Sequence, residues 1–228
     1  DSTMKFHRYI LLCSVTAFIG FNSPIAIHAN DTATRPVSVT GSDTENSIKT
    51  PVVNLYRILS QLQQSKQTPA EKGMTALRKV LNDSYDFSSI LSSTVGYRYD
   101  SYSEAEKEQL LQAFTNYTVA RYYSSFAKEK GTGFKILPNV KNATTNDDKI
   151  IKTRVGDASD MGSATEINYL LRKTPQGWKI VDVLLNGHIS QIAIQHGDFS
   201  STLAKGGSQG LIEMLNKKTQ SFMSKNNS

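Results

Sequence analysis

Residues 149–186 read KIIKTRVGDASDMGSATEINYLLRKTPQGWKIVDVLLN, and their apolar positions recur with a period close to two. That alternation is the mark of half-buried strands. Lys149–Gly156, Ala164–Lys173 and Trp178–Asn186 read as three of them, separated by a loop around Asp157–Ser163 and by Pro175-Gln176-Gly177. Upstream, Phe134–Asn142 reads as a fourth strand, turning at Asn146-Asp147-Asp148. Connections this short join antiparallel neighbours, so the block predicts a four-stranded meander. In the last strand Trp178, Ile180, Asp182 and Leu184 point one way, and Val181, Val183 and Leu185 the other. Both sets are largely apolar, so both faces of the sheet are expected to be covered.

On either side of this block the period changes to that of a helix. Thr50-Pro51 reads as a cap followed by proline at the first helical position, with Val52, Leu55, Leu59 and Leu62 on one stripe. Thr68-Pro69-Ala70-Glu71 predicts a capping box opening a second helix to about Ser84. Phe87, Ile90 and Leu91 mark a short helix that stops at Gly96, and Ser103-Glu104-Ala105-Glu106 opens a long one to about Lys130. After the strands, Ile189 to Leu203 is again helical. A Gly206-Gly207 break follows, then a last helix from about Ser208 to Phe222. Helices, a curved antiparallel sheet, then helices packed on it make an α+β fold, with residues 47–224 as one domain.

The first residues read differently. Asp1-Ser2-Thr3 precede the first methionine as an extraneous remnant. Lys5 and Arg8 then lead into an apolar run from Tyr9 to Phe21, followed by Pro24 and a small Ala29. This is the form of a secretory signal peptide over residues 1–29, and the run is shorter than the ~20 residues needed to span a bilayer. Residues 30–46 are polar and aperiodic and read as a flexible leader. The lone Cys13 lies within the apolar run, so the rest can form neither a disulfide nor a cysteine zinc site. Export with no disulfide points to a bacterial periplasm. The net charge of +6 suits transient contact with anionic lipid headgroups, while export argues against nucleic acid.

Catalytic motifs are scarce. His188 and His196 sit eight apart, a poor metal pair on a helix. Ser125-Phe126-Ala127-Lys128 matches S-x-x-K but lacks its companion motifs. Gly206-Gly207-Ser208-Gln209-Gly210 reads as a cap-to-cap junction rather than a phosphate cradle. Nothing implies a cofactor or a metal. Asp182 is a carboxylate in an apolar strand and must find partners there: Arg121, on the inward stripe of the long helix, or backbone N–H groups. Seven tyrosines fall between residues 85 and 123, and the Tyr97-Arg98-Tyr99 segment between helices is expected to be exposed, at a pocket rim or headgroup zone.

Two groups of motifs carry a family resemblance. Tyr85-Asp86-Phe87 precedes a short helix and Gly96, and a long helix with Phe114 and Tyr122 follows. The later group is Gly177-Trp178-Lys179-Ile180-Val181-Asp182-Val183-Leu184-Leu185-Asn186-Gly187, then Ile189-Ser190-Gln191, Asp198-Phe199 and Leu203-Ala204-Lys205-Gly206-Gly207. In order and spacing these resemble the MlaC, or toluene-tolerance, family, and within it the hopanoid-associated HpnM-like branch. His196 departs from the arginine of many relatives. The resemblance implies a cone-shaped α+β fold and a periplasmic, non-enzymatic shuttle. Such a shuttle holds a phospholipid or hopanoid-type lipid between sheet and helices and passes it between inner- and outer-membrane complexes. The ~30 methylenes of such a lipid represent about 24 kcal/mol of hydrocarbon to hide, at roughly 0.8 kcal/mol each. From alternation, the expected cavity residues are Phe114, Tyr117, Tyr122, Tyr169, Leu171, Val183, Leu185, Ile189 and Ile192. The alternative is a small hydrolase or isomerase on a similar sheet, using Asp182 and His188. A ligand-free scaffold, the third reading, predicts a cavity too small for any lipid.

Overall fold

The computed structural model describes residues 42–65, 68–127 and 130–226. The signal-peptide reading of 1–29, most of the leader and Lys128 of the S-x-x-K match lie outside them. Helix α1 spans Ser42–Gln64, α2 Ala70–Ser84, α3 Phe87–Val95 and α4 Glu104–Tyr122. A π-helical turn, Tyr123–Ala127, follows α4, so the long helix loses its α geometry before Lys130. Strands β1 (Thr132–Asn142), β2 (Lys149–Asp157), β3 (Thr165–Thr174), β4 (Gly177–Leu185) and β5 (Ile189–Ser190) come next, and α5 (Gln191–Asn226) closes the described chain.

The strands pair antiparallel in the order β1-β2-β3-β4-β5, an open meander as the alternation requires. The β1–β2 turn holds Asn146 (φ 58°) and Asp147 (φ 54°), the paired left-handed residues of a tight hairpin. The added strand β5 is two residues long and occupies the start of the stretch expected to be helical. Register gives one face Ile151, Thr153, Ile167, Tyr169, Val183 and Leu185, all buried. This is the face the helices cover, with Tyr56 of α1 reaching Thr153 and Tyr169. The opposite face keeps Ile150, Leu170 and Leu184 only half-buried. Covering of both faces therefore fails for this one, and its apolar positions are flanked by cations.

Two helix starts differ from expectation. Helix α1 begins at Ser42, upstream of Thr50-Pro51, and carries Pro51 inside it. Ile48 extends the buried stripe of Val52, Leu55 and Leu59 by one turn, and burying it outweighs the hydrogen bond that Pro51 cannot donate. The Thr50 hydroxyl, expected to cap, instead donates to the Asn46 carbonyl at 2.8 Å. In α2 the N-cap is Pro69 with no side-chain cap, so the expected box at Thr68 does not form. The box on α4 does: Ser103 Oγ accepts from the Glu106 N–H at 3.1 Å, and the Ser103 N–H reaches Glu106 Oε1. Gly207 (φ 61°, ψ −156°) kinks α5 at the expected break.

Candidate functional site

Between β4 and helices α3, α4 and α5 lies a small, partly open cavity of about 20 Å³, room for one water-sized molecule. Phe87 and Ile90 of α3, Phe114 and Tyr122 of α4, Val183 of β4 and Ile192 of α5 give it apolar walls. Thr118, Arg121, Asp182, Gln191 and Gln195 supply polar groups. Its position follows from local signals. Asp86 caps α3 by accepting from the Ser89 N–H (3.0 Å), while the Asp86 N–H donates to the Ile180 carbonyl (2.9 Å). The start of α3 is thereby fastened to β4, with Tyr85 and Phe87 on either side of the fastening.

Four rings of the cavity wall, Tyr85, Phe87, Phe114 and Tyr122, belong to a longer chain of aromatic contacts. Phe199 meets Phe114 edge-on at 6.5 Å, Phe114 meets Phe87 at 6.2 Å, and Phe87 stacks on Tyr85 at 5.4 Å. From Tyr85 the contacts run through Tyr122, Phe126, Phe134 and Tyr56 to Tyr169 on the sheet. Beyond the Tyr85–Phe87 stack lies an open groove of about 320 Å³, edged by Asn82, Asp86, Ser88 and Lys179. The two stacked rings line both spaces.

The phenols are hydrogen-bonded rather than reactive. Thr153 donates to the Ile167 carbonyl at 2.5 Å, so its oxygen accepts from Tyr56 at 2.6 Å and Tyr56 in turn accepts from Tyr169 at 2.9 Å. Tyr85 and Tyr122 pair at 2.5 Å. Burial pushes the Tyr56 and Tyr169 phenols up, which keeps both neutral.

Asp182 is bound by the start of α5. Its carboxylate accepts from Ser190 Oγ (2.5 Å) and from the N–H groups of Val183 (2.8 Å) and Ile192 (3.2 Å). Ser190 Oγ itself accepts from the Ala193 N–H and caps α5. The backbone N–H groups expected as partners of Asp182 do bond it. Arg121, 1% exposed, lies with its guanidinium 5.2 Å over the Tyr117 ring. Burial raises the Asp182 pKa, and the Ser190 and backbone hydrogen bonds oppose the rise. His188 is exposed and its Nδ1 faces the Asn186 carbonyl at 2.9 Å. The acid–base pair of the enzyme reading is therefore not assembled.

Of the nine expected residues, Phe114, Tyr122, Val183 and Ile192 meet at the cavity. Tyr169, Leu171 and Leu185 are buried in the sheet beside Ile167. Tyr117 packs on Phe222 of α5, with ring centres 6.1 Å apart. Ile189 is 39% exposed, because it lies in β5 and not in a helix facing the core. Tyr85, Phe87 and Ile90 are the wall residues that strand alternation could not supply; their helical spacing ahead of Gly96 was the available signal. Tyr97, 81% exposed with Arg98 stacked 5.0 Å over its ring, lies at the surface away from the cavity walls. Among the described residues no group of three or more His, Cys, Asp or Glu could hold a metal, and no helix is long and apolar enough to cross a membrane.

Comparison with known proteins adds the following. The family described as MlaC protein matches residues 52–217, well over half of the chain. No curated protein matches the sequence. Among solved structures, a phospholipid-binding protein from Ralstonia solanacearum in complex with a phospholipid is similar in fold. Its TM-score is 0.65 at 18% identity, over 80% of this chain and 99% of that one.

Proposed function

Because the chain belongs to the MlaC family, we propose that it is a periplasmic lipid carrier that encloses the apolar part of a lipid between β4 and helices α3–α5. The observation that carries this reading is the chain of aromatic rings leading from the cavity into the core. The cavity's apolar wall of Phe87, Ile90, Phe114, Val183 and Ile192 faces a polar set that is all hydroxyls or amides apart from Arg121 and Asp182. Such a lining suits hydrocarbon and offers no assembled acid–base pair. The Ralstonia protein of like fold is named for phospholipid binding, which supports the same ligand class here.

A cavity of about 20 Å³ is far smaller than an acyl chain, so loading parts the helices from the sheet. The Tyr85–Phe87 stack stands between the cavity and the 320 Å³ groove, and turning these rings joins the two spaces. Tails then enter past Phe87, and the headgroup stays in the groove near Lys179 and Ser88. Cavity and bilayer are nearly equivalent solvents for the tails, so transfer between inner- and outer-membrane complexes needs no nucleotide in this chain, and direction comes from those partners.

Protein purified from a bacterial periplasm without detergent, weighed by native and denaturing mass spectrometry, tests the reading. The expected result is one lipid per chain, released by solvent, whose identity separates phospholipid from a hopanoid-type cargo. A lipid-free mass that persists after incubation with liposomes overturns it and favours the ligand-free scaffold, whose small cavity this structure also matches. Val183→Trp overfills the cavity, lowering lipid load and costing about 1–3 kcal/mol of stability. An unchanged load at Val183 and at Phe114→Trp moves the site elsewhere.

A further inference from the structure

We infer that the uncovered face of the sheet is a docking surface for anionic phospholipid headgroups. Strand register puts Lys135 opposite Arg154, Lys141 opposite Ile150, and Lys152 opposite Asn168. Cross-strand partners share a face, so Lys135, Lys141, Lys152 and Arg154 all stand on the side away from the helices. None of the four has a carboxylate within ion-pair distance among the described residues. Arg172 on the same face shows what pairing looks like here. Its Nε and Nη2 bond both oxygens of Asp148, at 3.0 and 2.8 Å. The strand carboxylate on this side is Glu166, cross-strand from Arg154 but beyond ion-pair distance of it, and it accepts from Asn168 Nδ2.

Lysines on an edge strand ordinarily prevent sheets from adding to one another. That accounts for Lys135 and Lys141 on β1, but Lys152 and Arg154 sit on β2, which is paired on both sides. The four cations spread along β1 and β2 over roughly 13 Å, the four residues from Ile150 to Arg154 at about 3.3 Å each. Neither the cavity nor the groove is lined by any of them. An array of charges on a pleated surface matches a plane of phosphates better than a single peptide. Half-buried Ile150, Leu170 and Leu184 continue the face without an exposed aromatic to insert, so the contact is superficial and reversible.

Each cation close to an anionic surface is worth about a fivefold gain in partitioning. The test is co-sedimentation with vesicles of phosphatidylcholine alone and of an equimolar mixture with phosphatidylglycerol, at low and high salt. Wild type is expected to bind the mixed vesicles selectively and to lose that binding as salt rises. Lys152→Glu with Arg154→Glu, or Lys135→Glu with Lys141→Glu, is expected to cut it by roughly 25-fold or more. Lys72→Glu with Lys217→Glu makes the same charge change off the sheet and is expected to leave most of the binding. Circular dichroism shows which pair variant is folded, and either one suffices. Equal wild-type binding to both vesicles overturns the proposal and leaves the face to an acidic protein. Equal losses in the sheet and control variants overturn it too. Cargo, read by mass spectrometry, is a separate outcome, so docking can fail while the carrier reading stands.

Discussion

Asp182 shows how a single side chain joins two elements. Its carboxylate gathers the Ser190 hydroxyl and backbone N–H groups at the β4–α5 junction while burial raises its pKa. Its stabilising contribution is therefore full below the ordinary carboxylate range and declines as pH rises through the raised native value. Asp182→Asn keeps the shape but loses an acceptor, at roughly 1–3 kcal/mol. Urea unfolding should show a larger deficit for the variant at acid pH than at neutral pH; a deficit that grows with pH contradicts the assignment. Tyr56→Phe leaves the buried Tyr169 hydroxyl without its acceptor and should cost a similar amount by the same assay. That Asp182 needed partners was legible from the apolar strand around it. That Ser190 would be one was not, because a two-residue strand has no periodicity to read.

Among the elements, the boundaries written in side-chain capping chemistry were the legible ones. The Ser103–Glu106 box formed as read, and Ser103→Ala should cost about 1 kcal/mol by thermal melting. Thr50-Pro51 misled because a start signal competes with burial, and Ile48, one turn upstream, belongs to the buried stripe. Gly206 and Gly207 looked equivalent in sequence and are not. Gly207 sits at φ 61°, ψ −156°, a backbone region nearly confined to glycine, with open space where a Cβ would go. Gly207→Ala should therefore lose about 1–3 kcal/mol from the backbone alone. Gly206→Ala, with equal room and no positive φ, should gain roughly 0.5–1 kcal/mol. At ~2–4 °C per kcal/mol for a chain of this size, melting curves separate the two in sign.

At the scale of the molecule, the meander was legible because each pairing is local and each turn is short. The cavity wall was not, because Phe87, Phe114 and Val183 meet only when three separate elements pack, and no periodicity encodes that meeting. The order of the elements along the chain has a kinetic consequence. Helices α1–α4 are synthesised first, yet Tyr56 of α1 finds its partners Thr153, Tyr169 and Phe134 only once the sheet exists. A fragment ending at residue 127 should show helical ellipticity without cooperative melting, and should bind a hydrophobic dye that the full chain excludes. A sharp melting transition in that fragment would contradict this. In the whole chain the local hairpins can zip quickly while docking of the early helices waits on distant residues, so helix docking sets the rate. A chain built this way remains threadable until its last third has emerged, which is the condition a translocation pore imposes.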